Sequence, residues 1–388
     1  MTARPIEARL RAVVALLDAH DDVLVARVAS ATTPAWCLAR GWDGYLRGID
    51  DATLERAEDL GPEHVIGDDA PPSLRDLAAR VRSLSRLERA APPASVAPVR
   101  KAGPKKRAQI AALAALAPQG RGRIVDLGAG RGHLTRELAA TLGVPALGLE
   151  RDGRVVDAAR AIAPDPKVRF ERRVVDEALE VGPDDLLVGL HACGALGDAL
   201  IERAAASGAA VLLVSCCPQK IDADVRAPLS SAGRALARPL LGLANLARAA
   251  AAGTTPAEAA RRRGARHALR VLLADAGVVV APGEESRGVN RKQFRHGLAA
   301  VAGPAFARRG LARPSEAAIA DAERRAAAEH AVIRRLALPR TMLARPLELA
   351  VVLDRAGALE AADAERAPRV LEAFDAAVSP RNLVIVRG

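Results

Sequence analysis

Apolar side chains recur at helical spacing near the start of the chain (Leu10, Val13, Val14, Leu16 and Leu17 within residues 6–30). Residues 53–60 and 74–88 repeat the pattern, the latter entered through Pro71-Pro72 and a Ser73 cap. Residues 1–90 are therefore expected to form a small helical domain. Pro92, Pro93, Pro98, Gly103 and Pro104 crowd the next stretch, so 91–104 is expected to be a linker. The period then changes. A helix over 105–117 precedes a short apolar run, 123–127, which ends in an acid and opens through a glycine-rich turn into a helix over about 132–142. Further apolar runs at 145–149, 168–175, 186–190 and 210–215 alternate with helical patterns at 154–163 and 196–206. Such strand–helix alternation predicts a parallel sheet covered on both faces. A helix at 258–276 leads into Val278–Ala281, expected as a sixth strand; 288–377 reads as a helical insertion, and 382–386 as a closing, antiparallel strand after the Ser379-Pro380 break. The expected fold is α/β, with a seven-stranded sheet over 105–388.

Composition narrows the classes. With 50% hydrophobic and 27% charged residues the chain can build a full core and is not a disordered polymer. Aromatics are only 2%, which argues against a sheet that binds RNA by stacking bases. The formal charge is +11, and 51 of the 57 basic residues are arginine. Its distribution is uneven: residues 220–313 hold 17 basic and 6 acidic side chains, whereas 1–98 hold 12 and 15. A concentrated basic band predicts a polyanionic partner, RNA first. The four cysteines show no disulfide spacing, so a reducing, cytoplasmic setting is expected. No signal-like segment or apolar run of spanning length is present, so no membrane partner is expected.

The most specific motif is Asp126-Leu127-Gly128-Ala129-Gly130-Arg131-Gly132-His133-Leu134, lying between a strand and a helix. Glycines there let the backbone approach a ligand without a Cβ in the way. A dinucleotide loop needs its third glycine at position 133, which is histidine. The G-x-G-x-G spacing, with an acid two residues earlier, instead suits S-adenosyl-L-methionine (SAM), which has no pyrophosphate to cradle. Asp126, Gly128, Ala129, Gly130, Gly132, His133 and Leu134 are thus expected around the cofactor. Glu150, ending the second strand, is placed to accept the ribose hydroxyls, with Arg151 beside it. Asp176 is a candidate for the adenine amino group, or else a helix cap.

Two further strand ends converge on the crevice where open α/β sheets bind ligands: Gly189-Leu190-His191-Ala192-Cys193-Gly194 and Ser215-Cys216-Cys217-Pro218-Gln219-Lys220. Three readings stand open. Cys193, Cys216 or Cys217 could act as nucleophile, with His191 or Lys220 lowering a thiol pKa. The four His/Cys side chains could form a zinc tetrad, against which Cys216 and Cys217 should point apart on an extended chain; no metal is expected. Or the small thiols could pack beside the cofactor while His191 positions substrate or takes a proton. Lys105, Lys106 and Lys220, with Arg291, Lys292 and Arg295 near one helix face beside Phe294, are the candidate substrate contacts.

VDLGAGRGHLT, GLHACGALGD, SCCPQK, PKKRAQI and SPRNLVIV together resemble the methyltransferase family that groups methyltransferase-like protein 25 with a eukaryotic tRNA 2′-O-methyltransferase. The resemblance spans about 100–388. It implies a Rossmann-like class I methyltransferase fold, with SAM at Asp126–Leu134 and Glu150.

Overall fold

The structure is a computed structural model that describes residues 4–93, 102–162, 165–174, 179–247 and 255–388. Part of the expected linker and Asp176 lie outside these residues. The chain divides into two compact units, each woven from separated segments.

The first unit comprises residues 1–21, 80–251 and 343–388. Its centre is a sheet of seven strands: β1 (Arg123–Leu127), β2 (Ala146–Glu150), β3 (Val168–Arg172), β4 (Asp185–Ala192), β5 (Ala210–Ser215), β6 (Arg369–Glu372) and β7 (Leu383–Arg387). Their order is β3-β2-β1-β4-β5-β7-β6, with β7 antiparallel to both neighbours. β5 is buried along its whole length and β4 along nearly all of it, which explains their unbroken apolar runs. β3, at the edge, buries only Phe170 well. On the opposite edge the backbone of Glu88 and Ala90 hydrogen-bonds Glu372, covering part of β6.

Helices α1 (Pro5–Asp18), α2 (Pro104–Leu116), α3 (His133–Leu142), α4 (Gly153–Arg160), α5 (Ala195–Ser207) and α6 (Ala344–Ala362) belong to the same unit. Most of α6 is buried, charged residues included, so its charges must be partnered. Arg345 bonds Glu348 and Glu372 at 2.6 and 2.7 Å. Glu360 accepts from the backbone N–H groups of Ile6 and Glu7, two first-turn donors of α1 that have no partner within the helix.

The second unit comprises residues 22–79 and 252–342. Its core packs the helix Pro256–Asp275 with Ala299–Ala307 and Glu316–Leu336 around Phe294, Leu298 and Phe306. Ser315 and Thr255 cap two of these helices through their side chains.

Several expectations change. The fold groups α1 with the sheet and residues 22–79 with 252–342, where the pattern of residues 1–90 suggested one helical domain. Val278–Ala281 is not a strand: these residues belong to no regular element, and Val279 is 88% exposed. The strand next to β7 is instead β6, inside the stretch 288–377 expected to be helical. Ser73 is not a cap; it lies within the helix Pro72–Ser85, and its hydroxyl accepts from buried Trp42 at 2.9 Å. Among the described residues no helix is long and apolar enough to cross a membrane.

Candidate active site

The loop after β1 is a backbone device. Gly128, Gly130 and Gly132 all have positive φ, which non-glycine residues adopt only at a cost. The amides of Gly128 and Ala129 bond the Leu149 carbonyl at 2.9 and 3.0 Å, tying the loop to β2. A Cβ on Gly132 would sit 2.1 Å from the Phe170 ring, and one on Gly148 2.5 Å from it. Arg136 stacks its guanidinium 4.7 Å from that ring's centre and donates to the Gly132 carbonyl at 3.0 Å. Phe170 and Arg136 were not singled out in the sequence, because nothing local shows that a residue of β3 fills the space two glycines leave.

Asp126 is buried, and its carboxylate accepts from Thr135 Oγ1 at 2.6 Å. Burial pushes its pKa up to about 6, opposed by the Thr135 bond and the Lys106 charge, with Glu150 adding to the rise. Thr135 was also missed; a hydroxyl facing back from the first turn of α3 is its only signature. Glu150 accepts from the Gly130 and Asp152 amides at 3.3 and 3.1 Å, which fixes its carboxylate against the loop. His133 opens α3 and Leu134 is buried behind it, while Arg151 is exposed. Burial lowers the His133 pKa, and Lys106, Arg136 and Arg131 lower it further.

Lys106 is half-buried and Lys105 exposed. Burial lowers the Lys106 pKa, and Asp126 pulls it back up. The Lys106 charge acts on Asp126, His133 and His191, whereas Lys105, at the surface, acts on His191 alone among them.

His191 has φ 66°, the only positive value among the described non-glycine residues. Such strain marks positions that the surroundings over-determine. Here it coincides with a register shift between β4 and β5. Burial, then the Lys106 and Lys105 charges, lowers the His191 pKa to about 4, so the ring is neutral at pH 7. The amide nitrogen of buried Gln109 lies 3.3 Å from Nε2. That amide can donate to Nε2 when Nδ1 carries the ring proton.

The loops after β4 and β5 are clasped together. A Cβ on Gly194 would lie 1.9 Å from the Lys220 carbonyl, and the Ala195 amide bonds that same oxygen at 3.1 Å. Arg355 of α6, fully buried, donates to Gly194 O, Ser215 Oγ and Asp198. Arg226 bridges Asp198 and Asp354 at 2.8 Å each, completing a buried ion network. No sequence feature pointed to Arg355, which lies 140 residues from Ser215. Cys193, Cys216 and Cys217 bring their sulfurs together. Those of Cys193 and Cys216 are joined as a disulfide, which the cysteine spacing did not lead one to expect because the two residues meet only through the loops after β4 and β5. Cys216 and Cys217 do not point apart as expected, because β5 ends at Ser215 and strand alternation stops there. Lys220 is exposed beside them.

Arg291, Lys292 and Arg295 are exposed on a short 3-10 helix, Arg291–His296, of the second unit, whereas the strand ends belong to the first. Phe294 is 1% exposed in that unit's core and offers no stacking face. Many arginines of the basic band are paired, several with acids outside it: Arg234 with Asp18 and Asp21, Arg226 with Asp198 and Asp354, Arg263 with Glu58.

The strand order, the antiparallel β7 and the glycine loop after β1 define a class I methyltransferase domain. Residues 105–224 match a family described as a methyltransferase domain. SAM is the methyl donor of this class, and the Asp126–Leu134 loop with Glu150 fits it. Solved structures with similarity include the methyltransferase in complex with the Haloferax volcanii Trm112 methyltransferase activator (23% identity over 26% of this chain and 47% of that one, TM-score 0.23). A TehB-like SAM-dependent methyltransferase from Corynebacterium glutamicum shares 23% identity over 27% and 59%, TM-score 0.21. A SAM-dependent methyltransferase from Mesorhizobium loti shares 26% over 31% and 56%, TM-score 0.24. The chain thus spans only 47–59% of the length of these proteins.

Proposed function

We propose that the chain transfers the SAM methyl group to RNA, tRNA or rRNA in particular. The observation that carries the RNA reading is cationic: Lys105 and Lys220 are exposed on the elements bearing the site, in a chain of net charge +11. Asp126 and Glu150 hold the donor's amino and ribose groups, and Lys106 supplies the countercharge for its carboxylate. The sulfonium is already activated, so the protein's main task is to align acceptor and methyl and exclude water. A base is optional; His191 is the first candidate to receive the acceptor's proton, with its Nε2 exchanging the Gln109 amide for the acceptor.

A protein or small-molecule acceptor is the second reading, favoured by the ion pairs that neutralise much of the basic band. Labelled methyl transfer into an extract from cells lacking this protein, fractionated into RNA, protein and small molecules, separates the two. Label in RNA, lost with Asp126→Ala, is expected; label confined to another fraction overturns the RNA reading.

A further inference from the structure

Three sulfurs carried by two loops meet at the C-terminal ends of β4 and β5. The Sγ atoms of Cys193, Cys216 and Cys217 all lie within 4.8 Å of one another. Cys216 is buried and the other two are half-buried. Local features hold them there. The strained backbone of His191 turns its carbonyl toward Cys193 and Cys216, whose sulfurs lie 3.1 and 3.5 Å from it. Gly194, next to Cys193, is clamped against Lys220 of the second loop, and the Lys220 amide in turn bonds the Cys217 carbonyl. Arg355 anchors Gly194 and Ser215, the neighbours of Cys193 and Cys216.

We propose that these three cysteines form a thiolate site for a thiophilic divalent cation, with Zn2+ as its natural occupant. At the ~2.3 Å zinc–sulfur distance, tetrahedral thiolates stand roughly 3.8 Å apart. That spacing lies within the observed spread of the sulfurs, so ligation needs side-chain rotation within loops that stay clasped. In the structure Cys193 and Cys216 are joined, so the metal site forms once that pair is reduced, and a metal then uses all three sulfurs. His191 need not join them, since its Nε2 faces Gln109. Three protein ligands leave one tetrahedral position open, the arrangement of a catalytic rather than a structural zinc site. Water or a heteroatom of the acceptor would fill it. Ligation requires thiolates, so binding releases protons.

The test uses the whole chain, purified under reductant, stripped with a chelator, and titrated with Zn2+ against a chromophoric chelator and with Co2+ by absorption. One ion per chain and thiolate-to-cobalt charge-transfer absorption are expected. Cys217→Ser and Cys193→Ser should each weaken Zn2+ binding by more than the roughly 10- to 100-fold that loss of an outer partner costs. Cys37→Ser, altering the buried cysteine of the second unit, should leave it unchanged. Far-UV circular dichroism checks that each variant is folded, and if one is not, the wild-type titration decides. Failure of the wild type to hold Zn2+ in reducing buffer overturns the proposal. So does a thiol count showing Cys193 and Cys216 already joined in the protein as it is isolated from cells. Neither result bears on methyl transfer to RNA, which is read separately.

Discussion

The two ends of the crevice are built differently. The loops after β1 and β2 are made of backbone: three glycines in the left-handed region, amides turned onto β2, and one carboxylate from each strand end. The loops after β4 and β5 are made of side chains, several delivered from far along the chain: Gln109 from α2 to His191, Arg355 from α6 to Gly194, Ser215 and Asp198. The first arrangement needs only a short, contiguous motif. The second exists only once the sheet and α6 have assembled. A cofactor common to many enzymes can be held by a transferable loop, whereas the β4–β5 end is framed by the particular fold.

The comparison breaks most sharply at Arg355. Arg355→Met leaves Asp198 with one fewer buried cation and the Gly194 carbonyl without its donor. Loss of one partner from a buried ion network costs about 3–5 kcal/mol. Urea unfolding should show that loss; a change within about 0.5 kcal/mol, the range of ordinary surface substitutions, would mean the network does not hold the β4–β5 loops.

Gly132→Ala tests the other end. The φ of 70° and the Phe170 ring both oppose a Cβ there. Strain of about 1–3 kcal/mol is expected, together with weakened SAM binding by calorimetry. Unchanged SAM affinity would show that the loop adapts without its third glycine.

Asp126→Asn sharpens the electrostatics. Charged hydrogen bonds are worth about 1.5–3 kcal/mol, so SAM affinity should fall about 10- to 100-fold. In the wild type, affinity should rise as pH passes through about 6, because the buried Asp126 ionises there and the ligand carries cationic groups. The asparagine variant should lose this dependence, and a flat wild-type profile between about pH 5 and 7 would remove Asp126 from the cofactor contacts. Stability shifts in the opposite sense. The raised Asp126 pKa contributes stability below its unfolded value that is lost as pH rises through about 6. The lowered pKa values of His191 and His330, both about 4, contribute stability above their unfolded value near 6.5 that is lost as pH falls toward 4.

These contrasts also explain what could be read from the residues alone. The glycine loop, and the strand ends at Asp126 and Glu150 that flank it, were legible as structure because strand, turn and helix follow one another within about thirty residues. So were β4 and β5, whose apolar runs match central burial. Val278–Ala281 misled because an apolar run shows β character without saying whether an edge is free to receive it, and the chain's later segment Arg369–Glu372 takes that place. Phe294 misled because a basic flank does not distinguish an exposed ring from a core one. Arg355, Thr135 and Phe170 have no local signature; their roles arise where distant segments meet.

The smallest expected effect concerns the second unit. Replacing Arg291, Lys292 and Arg295 with glutamine should lower the salt slope of RNA binding by about one unit for each phosphate no longer neutralised, with SAM affinity unaltered. An unchanged slope would confine any RNA binding to other cations.

The pairing of Glu360 with the first turn of α1 has a consequence in time. Glu360 accepts from an amide 354 residues earlier in the chain. At about 5–20 residues per second of synthesis, α1 waits roughly 18–70 s on the ribosome before its partner is made. A 14-residue helix is marginal in isolation, and Leu10, Val13, Leu16 and Leu17 face water until α6 emerges. Helix α1 therefore spends most of the chain's synthesis without the partner that caps its first turn.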